Sequence, residues 1–281
     1  MSILNKNQIA KLLPDRPKDA NKGKFGKALV IAGSENFPGA AYLSCAGAYR
    51  VGAGLVTLAA IKSVKIIISR KLPEVTFISR DQVVGKILDY DVLLVGPGLG
   101  QEAQVIKLVK KLLKENLPST VIDADGLNIL SKIDKWWEKI KTEAVLTPHP
   151  GEMSRLTGLS IKEVQSDRQA HALEFAKKWG KTVVLKGANT VVASPVGGVR
   201  LNPFANPVLA TAGTGDVLAG MIAGFITQGL NHFDAAAVAV FIHGLAGEIL
   251  KKKLGDRGAV ASDLLPILPK ILLYISKHRV G

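Results

Sequence analysis

A glycine-rich segment that opens an apolar helix carries the strongest chemical signal in the sequence. The segment ATAGTGDVLAG (210–220) places Gly213 and Gly215 at the start of a helix predicted over 214–228. Glycine lets backbone amides approach a ligand closely, and the amides at a helix N-terminus attract anions. Asp216 can simply cap this helix, or it can deprotonate a hydroxyl that attacks phosphorus. The anion-binding loop beside it favours the catalytic role.

A second polar segment, KGANT (186–190), follows an apolar run and offers groups that can bind a nucleotide. Lys186 can pair with a phosphate, and Asn189 can hydrogen-bond a base or a ribose. The same five residues are also typical of a hairpin turn, and the two interpretations are compatible.

The segment HPGE (149–152) holds a histidine and a glutamate at a spacing that resembles a metal pair. The two side chains would share a face only in a helix, and Pro150 and Gly151 argue against a helix before Glu152. We therefore expect His149 to hydrogen-bond a ligand and Glu152 to cap or charge the next helix. One Cys and five scattered His supply no zinc ligand set, so no resident metal is predicted.

Two further segments, VIDADG (121–126) and GPGLG (96–100), leave their roles open. Asp123 and Asp125 stand two apart at a predicted strand end, where a carboxylate pair can hold Mg²⁺ through water or Asp125 can bind substrate. A turn-forming role for these carboxylates is equally consistent with the spacing. GPGLG lacks the third glycine of the dinucleotide fingerprint, and no segment matches the P-loop pattern.

Alternating strands and helices must position these segments. VIAGS (30–34), VGPGLG, VIDADG, LTPHPGE (146–152) and LKGANT each end an apolar run with glycine, proline or polar residues. Strands are expected at 27–32, 55–61, 91–96, 119–123, 144–147, 182–186 and 190–193, and helices at 40–51, 102–115, 162–179, 214–228, 234–253 and 262–277. This alternation predicts an α/β protein with a central, mostly parallel sheet flanked by helices. Parallel strands end at the same edge of a sheet, so the five segments with glycine, proline or polar residues predict one crevice at that edge. The whole chain, 1–281, is predicted to form a single domain.

The composition excludes several classes of protein. The 281 residues are 47% hydrophobic with a single Cys, so a disulfide scaffold is impossible and a reducing cytoplasm is expected. No apolar run reaches the roughly 18 residues of a membrane span, and no signal peptide is evident, so no membrane partner is expected. The net charge of +14 is spread over several helices, and aromatic residues make up only 5%. We expect no nucleic-acid partner, and small anionic substrates fit the charge better.

Taken in order, the motifs resemble the ADP-dependent NAD(P)H-hydrate dehydratases of the ribokinase-like superfamily. The resemblance covers about residues 12–275 and rests on KGKFGKALVIAGSENFPGAAYLSCAGAYRVGAGLVTLA, VGPGLG, DADGLN, LTPHPGEMSRL, LKGANTVVASP and NPVLATAGTGDVLAGMIAG. One departure is Ala212, where the family pattern has glycine. The resemblance implies a ribokinase-like three-layer sandwich. It also implies a stand-alone dehydratase that depends on a separate epimerase and forms a homo-oligomer such as a tetramer.

The resemblance further implies the substrates and the site. The substrates would be NADHX or NADPHX, the S hydrates of NADH and NADPH, with ADP or ATP as co-substrate and Mg²⁺ as cofactor. Asp216 would be the catalytic residue. By the same resemblance the hydrated dinucleotide would contact Ala40 or Ala41, Gly98 or Gly100, His149 and Asp216; ADP or ATP would contact Lys186, Gly187, Ala188, Asn189, Thr190 and Gly215; and Ala212, Gly213, Thr214 and Gly215 would form the anion hole.

The implied mechanism makes hydroxide a better leaving group by phosphorylating it. Asp216 would take the hydroxyl proton as the oxygen attacks the terminal phosphoryl group, and the ring nitrogen would then expel phosphate. A ribokinase-like kinase of a vitamin precursor would use the same Asp216, but it would leave HPGE and KGANT unexplained. A nucleotide-sensing or RNA-binding protein without turnover is the alternative from a different class.

Overall fold

The computed structural model describes residues 1–17, 19–20 and 22–277, so residues 18, 21 and 278–281 of the predicted domain lie outside the described part. The strands are β1 Ser2–Ile3, β2 Lys27–Ile31, β3 Leu55–Ala59, β4 Thr76–Ile78, β5 Val92–Val95, β6 Ser119–Ile122, β7 Ala144–Leu146, β8 Thr182–Leu185, β9 Val191–Ala193 and β10 Val199–Leu201. The helices are α1 Lys6–Leu12, α2 Pro38–Val51, α3 Lys62–Lys71, α4 Val83–Lys86, α5 Ala103–Leu112, α6 Asp125–Leu130, α7 Trp136–Lys139, α8 Pro150–Thr157, α9 Ile161–Ser166, α10 Arg168–Trp179, α11 Thr214–Thr227, α12 His232–Leu254 and α13 Leu268–Ser276.

All ten strands belong to one sheet with the order β1-β10-β9-β8-β7-β6-β5-β2-β3-β4. Strands β2 to β8 pair in parallel, and β9 runs antiparallel to both β8 and β10. The prediction of a mostly parallel sheet is therefore confirmed. The five strands that are followed by glycine, proline or polar residues are contiguous in the sheet, in the order β8, β7, β6, β5 and β2. Their carboxyl ends thus form one continuous edge.

Helices cover both faces of the sheet because successive strand residues point to opposite sides. In β2, Ala28 and Val30 pack into a core with residues of α1, α2, α3, α11, α12 and α13. The alternate residues Leu29 and Ile31 pack into a second core with residues of α4, α5, α6, α9 and α10. Burial on both faces explains the near-continuous apolar runs of these strands.

Glycines allow α2 and α11 to pack with their backbones almost in contact. A Cβ atom at Gly47 would lie 2.6 Å from Val217 O, and one at Gly220 would overlap Ser44 O. The two helices run parallel, since Gly213 at the start of α11 lies against Leu43 and Gln228 at its end donates to Val51 O. Both N-termini therefore face the carboxyl edge of the sheet.

Several predictions of local structure were wrong. The helix expected over 162–179 is two helices, because the backbone at Asp167 leaves the helical region and its carboxylate caps Ala170 N at 2.9 Å. Helix α8 begins at Pro150, since proline at the first helical position needs no amide partner. The strands β1, β4 and β10, which lie toward the two edges of the sheet, were missed, as were the helices α1 and α3. The helix expected over 262–277 begins only at Leu268.

One helix among the described residues is long and apolar enough to cross a membrane by length and composition. It is α12, with 23 residues and a mean hydropathy of 1.6 over its most apolar 18-residue window. In the fold, 72% of that window is buried, and the helix packs against α11 and α13. Its apolar character is thus explained by its place in the protein core.

Candidate active site

The loops that follow the central strands are tied to one another along the carboxyl edge. Gly33 N donates to Pro97 O at 2.8 Å, which joins the loops after β2 and β5. Lys186 N donates to Pro148 O at 2.8 Å, which joins the loops after β8 and β7. The chain order reverses between β2 and β5, and ligands of open α/β sheets bind beside such a switch point.

The N-terminus of α11 presents backbone amides to this crevice. Gly213, at φ +90°, is the N-cap, and the first helical hydrogen bond runs from Val217 N to Gly213 O at 3.2 Å. Within the described residues, the amides of Gly215 and Asp216 have no backbone partner. The amide of Thr214 donates to Thr211 O at 3.3 Å and is already engaged. The anion hole stays a prediction, and the Thr214 amide could contribute to it only by giving up its bond to Thr211 O.

A cavity of about 570 Å³ runs from this helix start into the protein. Its wall combines polar residues, among them His149, Lys186 and Thr214, with apolar side chains, and Gly215 also lines it. The remaining wall residues are Gly187, Ala188, Thr190, Asn202, Phe204, Ala205, Asn206, Pro207, Leu209, Ala210, Leu218, Val240 and His243. The structure thus brings most of the predicted nucleotide-binding residues into one wall. A lysine and a helix N-terminus beside apolar walls suit a nucleotide.

Lys186 lies at the centre of a buried charge cluster. Its Nζ is 2.7 Å from Asp123 Oδ1 and 3.7 Å from Glu152 Oε2, and both carboxylate side chains are at most 5% exposed. A Cβ atom at Gly215 would lie 3.5 Å from the same nitrogen. Burial disfavours the charged lysine, but the carboxylates of Asp123, Glu152 and Asp216 outweigh it and raise the pKa of Lys186.

Asp216 faces this cluster and holds a proton unusually tightly. Burial raises its pKa to about 7, the charge of Asp123 adds to the effect, and Lys186 opposes it. A carboxyl with a pKa near neutrality is suited to take up a proton at physiological pH. Such a shift in a crevice is a mark of a functional residue.

His149 and Glu152 form a reciprocal cap on α8. The Nδ1 atom of His149 accepts from Gly151 N at 3.0 Å, and Glu152 Oε2 accepts from His149 N at 2.8 Å. The capping role expected for Glu152 is confirmed. The expectation that Pro150 and Gly151 keep the two side chains apart was wrong, since His149 Nε2 lies 3.3 Å from Glu152 Oε1. Burial and Lys186 lower the pKa of His149, which keeps the ring neutral.

The KGANT segment is a hairpin turn between β8 and β9, as one of its two interpretations predicted. Asn189 adopts φ +52°, and its backbone N–H donates to Phe204 O at 3.0 Å. Its side chain does not line the cavity but donates to Asn202 O at 3.2 Å. Arg168 supports the turn by donating to Leu185 O at 2.8 Å and to Ala188 O. The sequence analysis missed Arg168, because nothing local relates it to residues about 20 positions away.

On the other side of Asp216, the structure distinguishes between the alternative contact residues. A Cβ atom at Gly98 would lie 2.6 Å from Ala40 Cβ, so these two residues adjoin at the switch point. Ala41 is fully buried against Gly33, whereas Ala40 is half-buried. Gly100 lies apart from Ala40 and donates its amide to Asp125 Oδ2 at 2.9 Å. Which member of each pair contacts a substrate stays a prediction.

Ala212 lines a different cavity from Gly215. This second cavity, of about 550 Å³, lies between the start of α2 and the residues before α13. Its wall includes Gly39, Tyr42, Leu43 and Ala212. The loop before α11 therefore separates two cavities, one on the side of α2 and one on the side of β8.

Asp123 and Asp125 do not form a shared metal site. Asp123 is paired with Lys186, and Asp125 accepts from Gly100 N and, at 3.4 Å, from Asn128 Nδ2. Within the described part of the chain, no group of three or more His, Cys, Asp or Glu side chains could hold a metal ion. The turn-forming alternative describes Asp125 well.

The fold and this crevice define the class of protein. A three-layer α/β sandwich with a parallel sheet and a glycine-led helix N-terminus at its carboxyl edge is the ribokinase-like arrangement. A ribokinase-like superfamily protein from Enterococcus faecalis superposes with a TM-score of 0.89 at 29% identity, over 99% of this chain and 97% of that one.

The chain also matches a narrower family within this superfamily. The family described as NAD(P)H-hydrate dehydratase matches residues 28–270, and the chain belongs to it. The ADP-dependent (S)-NAD(P)H-hydrate dehydratase of Bacillus subtilis is 36% identical over 92% of this chain and 93% of its own. The crystal structure of the Bacillus subtilis enzyme, co-crystallised with ATP and Mg²⁺, superposes with a TM-score of 0.89 at 33% identity, over 98% of each chain.

Several relatives are much longer. The bifunctional NAD(P)H-hydrate repair enzyme of Moorella thermoacetica is 40% identical over 95% of this chain but only 53% of its own length. The chain thus spans about half the length of the first curated relatives it matches. A hydroxyethylthiazole kinase from Pyrococcus horikoshii, at 14% identity and a TM-score of 0.67 over 94% of this chain and 92% of that one, shares the fold alone.

Proposed function

We propose that the protein dehydrates the S hydrate of NADH or NADPH, at the expense of ADP or ATP, to restore the reduced dinucleotide. The observation that carries this proposal is the position of Asp216, a carboxyl with a pKa of about 7 beside a cationic cavity of about 570 Å³. The family and the names of its relatives support the same activity.

Each proposed step has a residue of this chain in reach. The phosphates of ADP or ATP would lie at the start of α11, near Lys186 and the free amide of Gly215. The substrate hydroxyl would come from the side of Ala40 and Gly98, and Asp216 would accept its proton as the oxygen bonds to the terminal phosphorus. The bond from that phosphorus to the bridging oxygen breaks, and AMP or ADP leaves. The lone pair of the ring nitrogen then expels phosphate from C6 and leaves an iminium ion. Loss of a proton from the neighbouring ring carbon, C5, to the released phosphate or to water restores the dihydropyridine.

The donor set of this crevice does not fit a resident Mg²⁺. Asp123 is neutralised by Lys186, and Asp125 is occupied by the turn at Gly100. Mg²⁺ in nucleotide sites is often held by phosphates and water with few protein ligands. We therefore propose that any Mg²⁺ arrives on the phosphates of the nucleotide, where it would neutralise their charge. A coupled epimerase, a homo-oligomeric state and a cytoplasmic location stay predictions.

The test is the recovery of NADH absorbance from prepared NADH hydrate with Mg²⁺ and either ADP or ATP. We expect recovery that requires nucleotide and that falls by a factor of about 10² to 10⁴ in Asp216→Asn, the range for loss of a general base. Asp234→Asn is a matched control, because Asp234 also lies in the first turn of its helix but beyond the far end of α11. Stable phosphorylation of an acceptor without NADH recovery would instead identify a kinase.

A further inference from the structure

A partly buried arginine outside the cavity wall holds the turn between β8 and β9. Arg168 is the first residue of α10, and its Nη2 atom donates to Leu185 O at 2.8 Å. Its Nη1 atom donates to Ala188 O. Arg168 does not line the cavity of about 570 Å³, whereas Ala188 does. Leu185 is the last residue of β8, so one guanidinium bridges the end of the strand and the turn that follows it.

The turn leaves room for this guanidinium at a glycine. Gly187 adopts φ +142°, a conformation that favours glycine. A Cβ atom there would lie 3.0 Å from Arg168 Nη2 and 3.2 Å from its Cζ. The guanidinium therefore occupies space that a side chain at this position would need. A guanidinium is a planar fork with donors on two nitrogens, whereas a lysine ammonium is a single point of charge. Lysine at this position would keep the charge but lose the bridge between the two carbonyls.

The charge of Arg168 has no acidic partner in the structure. Burial lowers the pKa of its guanidinium, and Arg168 forms no ion pair with a carboxylate among the described residues. A partly buried charge is costly unless hydrogen bonds compensate for its lost hydration. The carbonyls of Leu185 and Ala188 supply those bonds, which ties the guanidinium to the turn.

The turn itself offers unpaired backbone amides. The N–H groups of Gly187 and Ala188 have no hydrogen-bond partner within the part of the chain that the structure describes, and both residues line the cavity. Gly187 O accepts from Thr190 Oγ1 at 2.9 Å, and Ala188 O accepts from Arg168. Glycine loses more conformational freedom on ordering than any other residue, so this turn needs such bonds to keep one shape.

We propose that Arg168 is a positioning residue for ADP or ATP, which holds the turn over 186–188 in place for the nucleotide without contacting it. This inference rests on the proposed function, because it assigns a role within the site for that nucleotide. A turn that is already held requires less ordering when the ligand binds, and such preorganisation raises affinity.

The experiment combines calorimetric titration of the full chain with ADP and Mg²⁺ and steady-state kinetics of NADH recovery. Arg168→Lys keeps the charge without the bridge, and Arg168→Met removes both. We expect both variants to bind ADP about tenfold more weakly, the scale of ordering part of a loop on binding. The KM for ADP should rise by a similar factor, while the KM for NADH hydrate stays within about twofold of the wild type.

Arg80→Lys is a matched control for the loss of a guanidinium. Arg80 is also partly buried and also donates to a loop carbonyl, Gly33 O. That loop follows β2, which β5, β6 and β7 separate from β8 in the sheet. We therefore expect Arg80→Lys to leave the affinity for ADP unchanged.

Three outcomes would contradict the proposal. Wild-type affinity for ADP in Arg168→Lys would overturn it, since the charge alone would then suffice, and this result decides the question even if Arg168→Met fails to fold. A joint rise of the KM values for ADP and NADH hydrate would also overturn it, because it indicates a general loss of structure and not a displaced turn. Failure of the wild type to bind ADP would refute the proposed function itself, and this inference with it.

Discussion

Replacing the candidate catalytic carboxyl should make the protein more stable, and increasingly so as the pH rises. Burial raises the pKa of Asp216 from its ordinary value of 3.8 to about 7. A tenfold change in proton affinity corresponds to about 1.4 kcal/mol, so the ionised carboxylate costs the fold about 4 kcal/mol above neutrality. Asparagine keeps the shape of the side chain and cannot ionise. The substitution also removes a negative charge that stabilises the N-terminus of α11, and this loss offsets about 1 kcal/mol of the gain in stability.

The sign follows from where the proton is held. Below pH 3.8 the folded and unfolded chains are both protonated at Asp216, and the substitution has little electrostatic effect. Between pH 3.8 and about 7 only the folded chain keeps the proton, so wild-type stability falls as the pH rises. Above this range both states are ionised and the difference is constant. We expect the gain in unfolding free energy for Asp216→Asn to grow by about 2.5 kcal/mol between pH 5 and pH 8.

Urea denaturation without ligands at these two pH values measures the effect. Asp234→Asn is the control, since Asp234 also starts a helix but is stabilised by Arg200 at 2.5 Å. It should be destabilising or neutral, with no gain that grows toward pH 8. A gain for Asp216→Asn that is the same at both pH values would refute the reasoning. So would a loss of stability at pH 8, because either result means that the ionised carboxylate is not penalised by the fold.

Four other perturbations test separate parts of the structure. The rate of NADH recovery at low substrate should rise with pH through an apparent pKa near 7 if Asp216 is the base, and a flat profile would contradict that role. Lys186→Met should lower stability by about 3 kcal/mol by leaving the buried carboxylate of Asp123 without its cation, and should abolish ADP binding in calorimetry. Gly220→Ala should lower the thermal midpoint by overlap with α2, at a cost of about 3 kcal/mol, whereas Gly39→Ala meets no atom within 4 Å and should not. His149→Ala should cost about 1 kcal/mol in chemical denaturation through loss of the α8 cap.

The fold was predictable because its signals are local. Continuous apolar runs, each followed by glycine and polar residues, marked the central strands to within one or two residues at most ends. The extended backbone at Asp167 was not predictable, because the apolar spacing continues across it and only the capping of Ala170 N ends the first helix. The strands β1, β4 and β10 were not predictable, because they lie toward the edges of the sheet and depend on pairing with a neighbour such as β3 or β9.

The site was predictable in its members but not in their partners. Lys186 and Asp216 were singled out by motif, and both lie at the crevice. The pairing of Lys186 with Asp123, which lies 63 residues away in sequence, depends on the order of the strands in the sheet.

The packing of α2 against α11 explains how the proposed reaction could be held in register. Ala40 lies in the first turn of α2 and Gly215 in the first turn of α11, so under the proposed function each helix would present its N-terminus to one of the two substrates. The backbones of the two helices nearly touch at Gly47 and Gly220, and close-packed interiors do not deform continuously. The separation between the hydroxyl side and the phosphate side of Asp216 is therefore set by backbone contact rather than by flexible loops. Such fixed placement is what a transfer between two bound nucleotides requires.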